Sequence, residues 1–211
     1  MKRYPRLDVP AGAVLFAHPV NFLRDLISQV RNSLRHQVNV ALLVFISLFV
    51  TLASNGQTTR VWQPIAGGAW TTASNWLPSG VPSANDNVVV DKDLTGAITG
   101  VPNITLKKLK ISGNCRFDPG GTNQTIVVSD SFFIAQGKTF SYGISNSKMN
   151  FSLAANAVGD IRGEMIMNTS TPAGTFTSSG SLQMGASALI RGTGAFTLNA
   201  GASFSIGSSA G

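Results

Sequence analysis

The sequence predicts an all-β protein, a right-handed parallel β-helix (a solenoid) that follows one N-terminal signal helix. Three observations lead to this prediction. One apolar run near the N-terminus has the length of a helix and contains no charge. The rest of the chain alternates short apolar strands with turns rich in Gly, Ser, Asn and Ala. These short units grow more alike toward the C-terminus, as expected of stacked repeats.

The apolar run, Val38 to Leu52, has the length of a signal-peptide core and is shorter than the ~20 residues that cross a bilayer. Basic residues precede it. Ser54 and Gly56 place small residues at positions −3 and −1 of a cleavage between Gly56 and Gln57. We therefore expect an exported protein that contacts the inner membrane transiently through this segment. The alternative is an uncleaved transmembrane helix at 38–52 that anchors the chain in the inner membrane.

Residues 1–34 are longer than an ordinary signal n-region. They contain apolar residues at helical spacing with charged residues between them, namely Phe22, Leu23, Leu26, Ile27, Val30 and Leu34. This pattern predicts an amphipathic helix that lies on the inner surface of the membrane. An equally weighted alternative is that translation starts further in, at a codon other than Met, so that much of 1–34 is never made.

Charge is unevenly distributed along the chain. Residues 1–56 carry six basic and two acidic side chains, and residues 57–211 carry ten and seven, which together give the net charge of +7. More than half of the excess lies in the segment that cleavage removes, so we expect no nucleic-acid partner in spite of the high pI. Lys107, Lys108 and Lys110 come nearest to a basic patch. We expect them at a solvated strand edge, where Lys discourages pairing with another chain.

Trp70 and Trp76 lie in a stretch that glycines and prolines divide into turns. They are six residues apart, so on an extended chain both would face the same side. If they are buried, they cap the open end of a β core, which would otherwise recruit other chains. If they are exposed, they form a pair suited to stacking on sugar rings. We favour capping and keep glycan stacking as the alternative.

Four short motifs in the same stretch carry a resemblance to known proteins. They are Gly68-Ala69-Trp70, Ser74-Asn75-Trp76, Gly80-Val81-Pro82 and the run from Asn85 to Val90. Together they resemble a motif near the N-terminus of large secreted bacterial β-solenoid proteins, many of which are exported by the type IX route and resemble adhesins. The resemblance covers about 25 residues, and it implies a parallel β-helix on the cell surface or in the medium.

The repeating segment is clearest at Leu182–Ile190 and Phe196–Ile206. Each unit has a short strand of alternating apolar residues, a corner of small residues and a second short strand. Repeat spacing ranges from about 14 to 22 residues. Because one unit is too short to bury its own apolar face, stacking on its neighbours is the natural solution. We therefore divide the chain into a leader at 1–56, a Trp-containing cap at 57–105 and solenoid rungs at 106–211.

A β-sandwich is the second choice of fold, because it also has many short strands separated by turns. The last residues, Phe204 to Gly211, resemble the middle of a rung and not a cap. An uncapped solenoid end is an aggregation hazard. We therefore expect a truncated gene or the N-terminal part of a longer product, in which further rungs or domains pack on this end.

The sequence offers little catalytic chemistry. Both histidines, His18 and His36, precede the cleavage point, and Cys115 is the single cysteine. Without histidine, the exported part lacks the means for Ser-His-Asp, Cys-His and histidine-ligated zinc chemistry. We expect Cys115 to be a small, half-buried strand residue. Asp91 and Asp93 are spaced to share a strand face, but their context favours a solvated turn.

We therefore expect no catalytic residue, no cofactor and no metal site. The expected function is that of a secreted or outer-surface β-solenoid with a structural or adhesive role, and its expected partners are glycans or cell-surface polymers. The alternative is the N-terminal part of a carbohydrate-active β-helix enzyme, a polysaccharide lyase or hydrolase.

Overall fold

The structure is a computed structural model of the chain. It describes residues 19–52, 56–143, 147–167 and 173–207, and within the first range it describes side chains from 23 to 39. The chain divides into two compact units, Met1–Gly56 and Gln57–Gly211.

The first unit contains one helix, α1 (Pro19–Leu52). Its described apolar side chains recur every three or four residues and are exposed, namely Leu23, Leu26, Ile27, Val30, Leu34 and Val38. This spacing places them along one side of the helix, as predicted for an amphipathic segment. Most of the proposed signal core, from residue 40 onward, lies outside the residues whose side chains are described, and so do residues 1–18. Among the helical residues that were searched, none forms a stretch with the length and apolarity needed to span a bilayer.

The second unit is built from short strands. Within its described residues there are seventeen: β1 (Thr59–Trp62), β2 (Gly68–Ala69), β3 (Trp76–Leu77), β4 (Asn87–Val90), β5 (Ile98–Val101), β6 (Ile104–Ile111), β7 (Cys115–Pro119), β8 (Asn123–Ile134), β9 (Thr139–Tyr142), β10 (Lys148–Leu153), β11 (Val158–Ile161), β12 (Glu164–Met167), β13 (Thr175–Ser178), β14 (Ser181–Met184), β15 (Leu189–Gly192), β16 (Ala195–Leu198) and β17 (Ser203–Ile206). A single-turn 3-10 helix, Ala73–Asn75, precedes β3.

Sixteen of these strands stack in three parallel ladders, and β3 pairs antiparallel with β1. Ladder I joins β1, β4, the second halves of β6 and β8, and then β11, β14 and β17. Ladder II joins the first halves of β6 and β8 with β10, β13 and β16. Ladder III joins β2, β5, β7, β9, β12 and β15 in a separate sheet. The chain therefore winds through about six turns of a β-solenoid, which confirms the predicted fold class over the sandwich alternative.

One turn of the solenoid is longer than the sequence suggested. Equivalent positions in ladder I are Thr59, Asn87, Lys108, Ser131, Val158, Ser181 and Ser203, so the repeat ranges from 21 to 28 residues. The expected spacing of 14 to 22 residues was wrong because a full turn passes through all three ladders. The segments that begin at Leu182 and Phe196 belong to different ladders of the same turn. Ladder I also begins at Thr59, inside the segment assigned to the cap.

The core runs along the axis of the stack. Alternate residues of each strand point inward, and equivalents from successive turns lie on top of one another. One such column in ladder I is Val90, Ile111, Ile134 and Ile161, all with no exposed surface. Each buried aliphatic side chain of this kind stabilises the fold by about 1.5–3 kcal/mol.

Candidate functional site

The first turn of the solenoid contains a cluster of three tryptophans. Trp62, Trp70 and Trp76 are at most 2% exposed. The ring of Trp76 meets the edges of the other two, with centroids 4.9 Å from Trp62 and 4.8 Å from Trp70. Trp70 also contacts Phe117, at 5.8 Å between centroids, which connects the cluster to the core of the next turns. The indoles therefore form the first aromatic layer of the core.

Burial also decides which chemistry the tryptophans offer. The indole N–H of Trp62 donates to the carbonyl of Pro64 at 2.7 Å, and that of Trp76 donates to the carbonyl of Trp70 at 2.8 Å. Stacking on a sugar requires an exposed ring face. Neither Trp70 nor Trp76 has an exposed ring face. The alternative prediction, that this pair stacks on sugar rings, therefore does not fit their burial. In addition, a 3-10 turn separates the two residues, so they meet through the fold and not along one extended strand.

The motif residues around the tryptophans hold the connecting turns. The side-chain amide of Asn75 donates to the carbonyl of Ala69 at 2.9 Å. Asn85 adopts a left-handed backbone conformation with a φ of 69°, which Asn tolerates better than most residues. Asn75 and Asn85 therefore have a structural role in shaping the turns of the first coil.

Asp86 is a buried carboxylate in the same region. Its Oδ1 accepts a hydrogen bond from the backbone N–H of Thr58 at 3.0 Å. Its Oδ2 accepts from the backbone N–H and the hydroxyl of Ser83, both at 2.9 Å, and lies 3.9 Å from Nε of Arg60. Both acceptor oxygens are thus engaged, and the contact with Thr58 ties the strand entry at β1 to the turn before β4.

The carboxylates of the solenoid are dispersed, and each of six has its own cation. The ion pairs are Asp86–Arg60, Asp93–Lys138, Asp118–Arg116, Asp130–Lys108, Asp160–Arg162 and Glu164–Arg191. Most glycoside hydrolases use two carboxyl groups that face one substrate. Over the described residues there is also no group of three His, Cys, Asp or Glu side chains placed to hold a metal ion.

Asp91 and Asp93 lie in the corner that follows β4 and not on a strand face. The carboxylate of Asp93 accepts a hydrogen bond from the backbone N–H of Asn114 at 2.7 Å and contacts Nζ of Lys138 at 2.9 Å. The hydrogen bond from Asn114, with help from Lys138, lowers the pKa of Asp93 below its usual value. Asp93 therefore connects successive coils at a solvated corner.

Cys115 lies at the start of β7 and is only 7% exposed, so it is more deeply buried than the half-buried position expected. Burial raises the pKa of its thiol well above the ordinary value. A thiol in that state is a poor nucleophile at neutral pH, because the thiolate is the reactive form.

The residues at the proposed cleavage point, Gly56 and Gln57, are both exposed. Gln57 contacts two residues of the solenoid through its side chain. Its amide nitrogen donates to Oδ1 of Asn87, and its amide oxygen accepts from Nζ of Lys107 at 2.9 Å. Gln57 thus belongs to the polar surface of the first turns.

The lysines of β6 do not lie at a strand edge. In ladder I the second half of β6 lies between β4 and β8, so Lys108 and Lys110 have a paired strand on each side, whereas in ladder II the first half of β6 has β8 as its strand neighbour. The expectation of an edge strand was wrong because the parallel neighbours of β6 come from other turns of the solenoid. Lys108 and Lys110 project outward from the middle of a sheet, on the face opposite the core.

A shallow groove of about 430 Å³ crosses this outer face of ladder I. We call it the ladder I groove and define it by outward-facing residues of β4, β6 and β8: Asn87, Val89, Lys108, Lys110, Ser131 and Phe133. Val89, Lys110 and Phe133 are aligned in register on three adjacent strands. Beyond Phe133 lies Arg162, whose guanidinium is 5.6 Å from the ring centroid. The groove therefore combines an apolar floor with positive charge.

The sequence reasoning missed Val89 and Phe133, although a signal was present. Both belong to runs of adjacent apolar residues on a strand, Val88–Val90 and Phe132-Phe133. Successive side chains of a strand point to opposite faces. Phe132 is buried and Phe133 is half-buried on the outside, as this alternation requires.

Comparisons of the chain with protein-family models, with curated proteins and with solved structures gave no match in any of the three.

Proposed function

We propose that this chain is an exported β-solenoid of the cell surface or the medium, with a structural or adhesive role and no catalytic activity of its own. The observation that carries the proposal is the solenoid surface itself. Six of its seven carboxylates are held one by one in ion pairs, its cysteine is buried, and its outer ladder face is open. Such a surface is suited to contact and not to acid–base or nucleophilic chemistry.

The export part of the proposal is supported by the sequence. The apolar run Val38–Leu52, with basic residues before it and small residues after it, has the features of a signal peptide. The segment from Gly68 to Val90 resembles secreted β-solenoid proteins. We therefore include in the proposal export by the type IX route and an adhesin-like role within a longer product.

Export can be tested with the full chain expressed in a bacterial host that has a type IX system. We expect the protein in the medium or on the surface, with an N-terminus at Gln57. Val44→Arg, which places a charge in the apolar run, abolishes export, whereas Val61→Arg on the solenoid leaves cleavage unchanged. Retention of the wild-type chain in the cytoplasm would contradict the proposal.

Absence of catalysis is tested separately. The purified full chain is incubated with acidic and neutral polysaccharides, and reducing ends and unsaturated products are measured. We expect no product above the background. Release of oligosaccharides by this chain alone would support the enzyme alternative.

A further inference from the structure

The floor of the ladder I groove is apolar although it lies on the outside of the protein. Val89 and Phe133 are half-buried and lie on β4 and β8, with β6 between them. Adjacent strands are about 4.8 Å apart, so the two side chains are separated by about 10 Å. Lys110 stands between them in the same row. A ligand that lies across the strands therefore meets an apolar contact, a cation and an aromatic ring in succession.

The groove has an excess of positive charge. Lys108 is paired with Asp130 at 3.4 Å, and Arg162 is paired with Asp160 at 2.8 Å, so these charges are locally balanced. Lys110 is exposed and has no carboxylate within ion-pair distance among the described residues. An anion that enters the groove can therefore bind Lys110 without displacing a carboxylate.

Lys107, which precedes Lys108 on β6, does not line the groove but adds positive charge near it. Its Nζ donates to the neutral amide oxygen of Gln57 at 2.9 Å and forms no ion pair within the described part of the chain. At the groove, Ser131 provides a neutral hydroxyl, whereas the side-chain amide of Asn87 is already hydrogen-bonded to Gln57 and Thr59. The combination of a few polar groups with an aromatic platform is typical of ligand sites.

The shape of the groove favours a linear polymer. It crosses adjacent strands on an open sheet face, and its contacts repeat at the strand spacing, which is similar to the length of a hexose unit. Sugar rings present flat C–H faces for Phe133 and Val89 and a hydroxyl for Ser131. We propose that the ladder I groove binds an acidic polysaccharide, with Lys110 contacting a carboxylate of the polymer and Phe133 supporting a sugar ring. This assignment rests on the proposed adhesive function and names its ligand class.

The test uses the full chain in non-ionic detergent, immobilised on a surface, and polygalacturonate as the probe. Fully methyl-esterified polygalacturonate has the same backbone without the charge and is the matched control polymer. We expect binding of the charged polymer and at least fivefold weaker binding of the ester. Raising the salt concentration weakens the binding, because screening shortens the range of the charge interaction to about 8 Å at physiological ionic strength.

Two variants examine the groove itself. Lys110→Gln weakens binding of polygalacturonate by about fivefold at low salt, and Phe133→Ser weakens binding of the charged polymer by a similar factor. Lys148→Gln removes an equivalent charge from ladder II and is the matched control, with no effect expected. Circular dichroism of each variant checks that the strands are retained.

Equal binding of the acid and the ester, or equal effects of Lys110→Gln and Lys148→Gln, would overturn the inference. Duplex DNA that binds as tightly as polygalacturonate would also overturn it, because the groove would then respond to charge alone. Export is scored in a different experiment. A chain that binds the polymer in detergent but is not exported leaves the groove intact and refutes only the export proposal.

Discussion

The indole N–H of Trp76 donates a 2.8 Å hydrogen bond to the backbone carbonyl of Trp70, within a cluster that excludes solvent from both rings. The indole N–H of Trp70 is itself buried and has no hydrogen-bond partner among the described residues. The indole N–H of Trp76 thus has a hydrogen-bond acceptor, whereas that of Trp70 has none among the described residues. The effect of this difference on stability can be measured.

We expect Trp76→Phe to destabilise the solenoid more than Trp70→Phe does. Both changes remove the same atoms from the core, but only Trp76→Phe leaves a buried carbonyl, that of Trp70, without its donor. The difference should be about 1–2 kcal/mol in the free energy of unfolding. Urea unfolding followed by circular dichroism measures it, and equal losses for the two variants would contradict the assigned hydrogen bond.

Asp86→Asn should be strongly destabilising. The substitution removes the negative charge beside Arg60, whose side chain is only 17% exposed, and replaces one acceptor oxygen that binds backbone or side-chain donors. Leaving a buried donor without its acceptor costs about 1–3 kcal/mol, and the donors to Asp86 come from Thr58 and Ser83. Asp130→Asn breaks an exposed pair with Lys108 and should cost less than about 1 kcal/mol. Thermal or urea unfolding of both variants decides whether Asp86 has this role.

Gly163→Ala tests how closely the coils approach one another. A Cβ at this position would lie 2.2 Å from the carbonyl oxygen of Lys138 and 2.4 Å from that of Ala135, both in the preceding turn. Because these are backbone atoms, the turns must move apart, at a cost of about 1–3 kcal/mol.

The control for this variant is Gly185→Ala. The nearest atom to its added Cβ is Cα of Arg162 at 3.4 Å, an ordinary contact distance. We expect a change in unfolding free energy within about 0.5 kcal/mol. A similar loss for both glycine variants would mean that backbone flexibility, and not the approach of the coils, sets the cost.

Acidification should weaken the contact between Glu164 and Arg191. The hydrogen bond from Arg191 lowers the pKa of Glu164; burial opposes this effect and the hydroxyl of Thr139 adds to it. Because the folded pKa lies below the unfolded value of about 4.3, the ionised carboxylate stabilises the fold above that pH. This contribution is lost as the pH falls through the lowered folded pKa.

The measurement is the unfolding free energy between pH 6 and pH 3. Glu164→Gln should lose no more than about 1 kcal/mol at pH 6, because the pair is in contact with solvent, and its stability should decline less steeply toward pH 3. Arg191→Gln should behave in the same way. If the unfolding free energy of both variants falls with pH as steeply as that of the unchanged protein, other carboxylates cause the loss of stability in acid.

Several features could be predicted because they depend on neighbours in the sequence. The alternation in the strand that contains Phe132 and Phe133 requires one of these rings to face the core and the other to face solvent. The helical spacing of Leu23, Ile27 and Val30 is visible without any tertiary contact. The burial of Cys115 on a strand also followed from its setting, although the degree of burial did not.

Other features could not be predicted, because they join residues from different turns. The ion pair of Asp93 and Lys138 connects side chains 45 residues apart in the sequence. The position of Lys110 between Val89 and Phe133 depends on the register of three strands, and register is set by the length of each turn. Irregular turn lengths concealed that register, whereas the repeat spacing was wrong because a full turn passes through all three ladders.

The amino-acid sequence by itself determined that short strands form, which of their faces is apolar, and that one face must be buried by stacking, because these properties follow from period-two alternation and local turn residues. Only the tertiary structure decided which strands are neighbours. The choice of neighbours buries Trp70 and Trp76 together, gives the six ion-paired carboxylates separate cations and places Lys110 on an open sheet face. These contacts join different turns, so they depend on the number of residues in each turn.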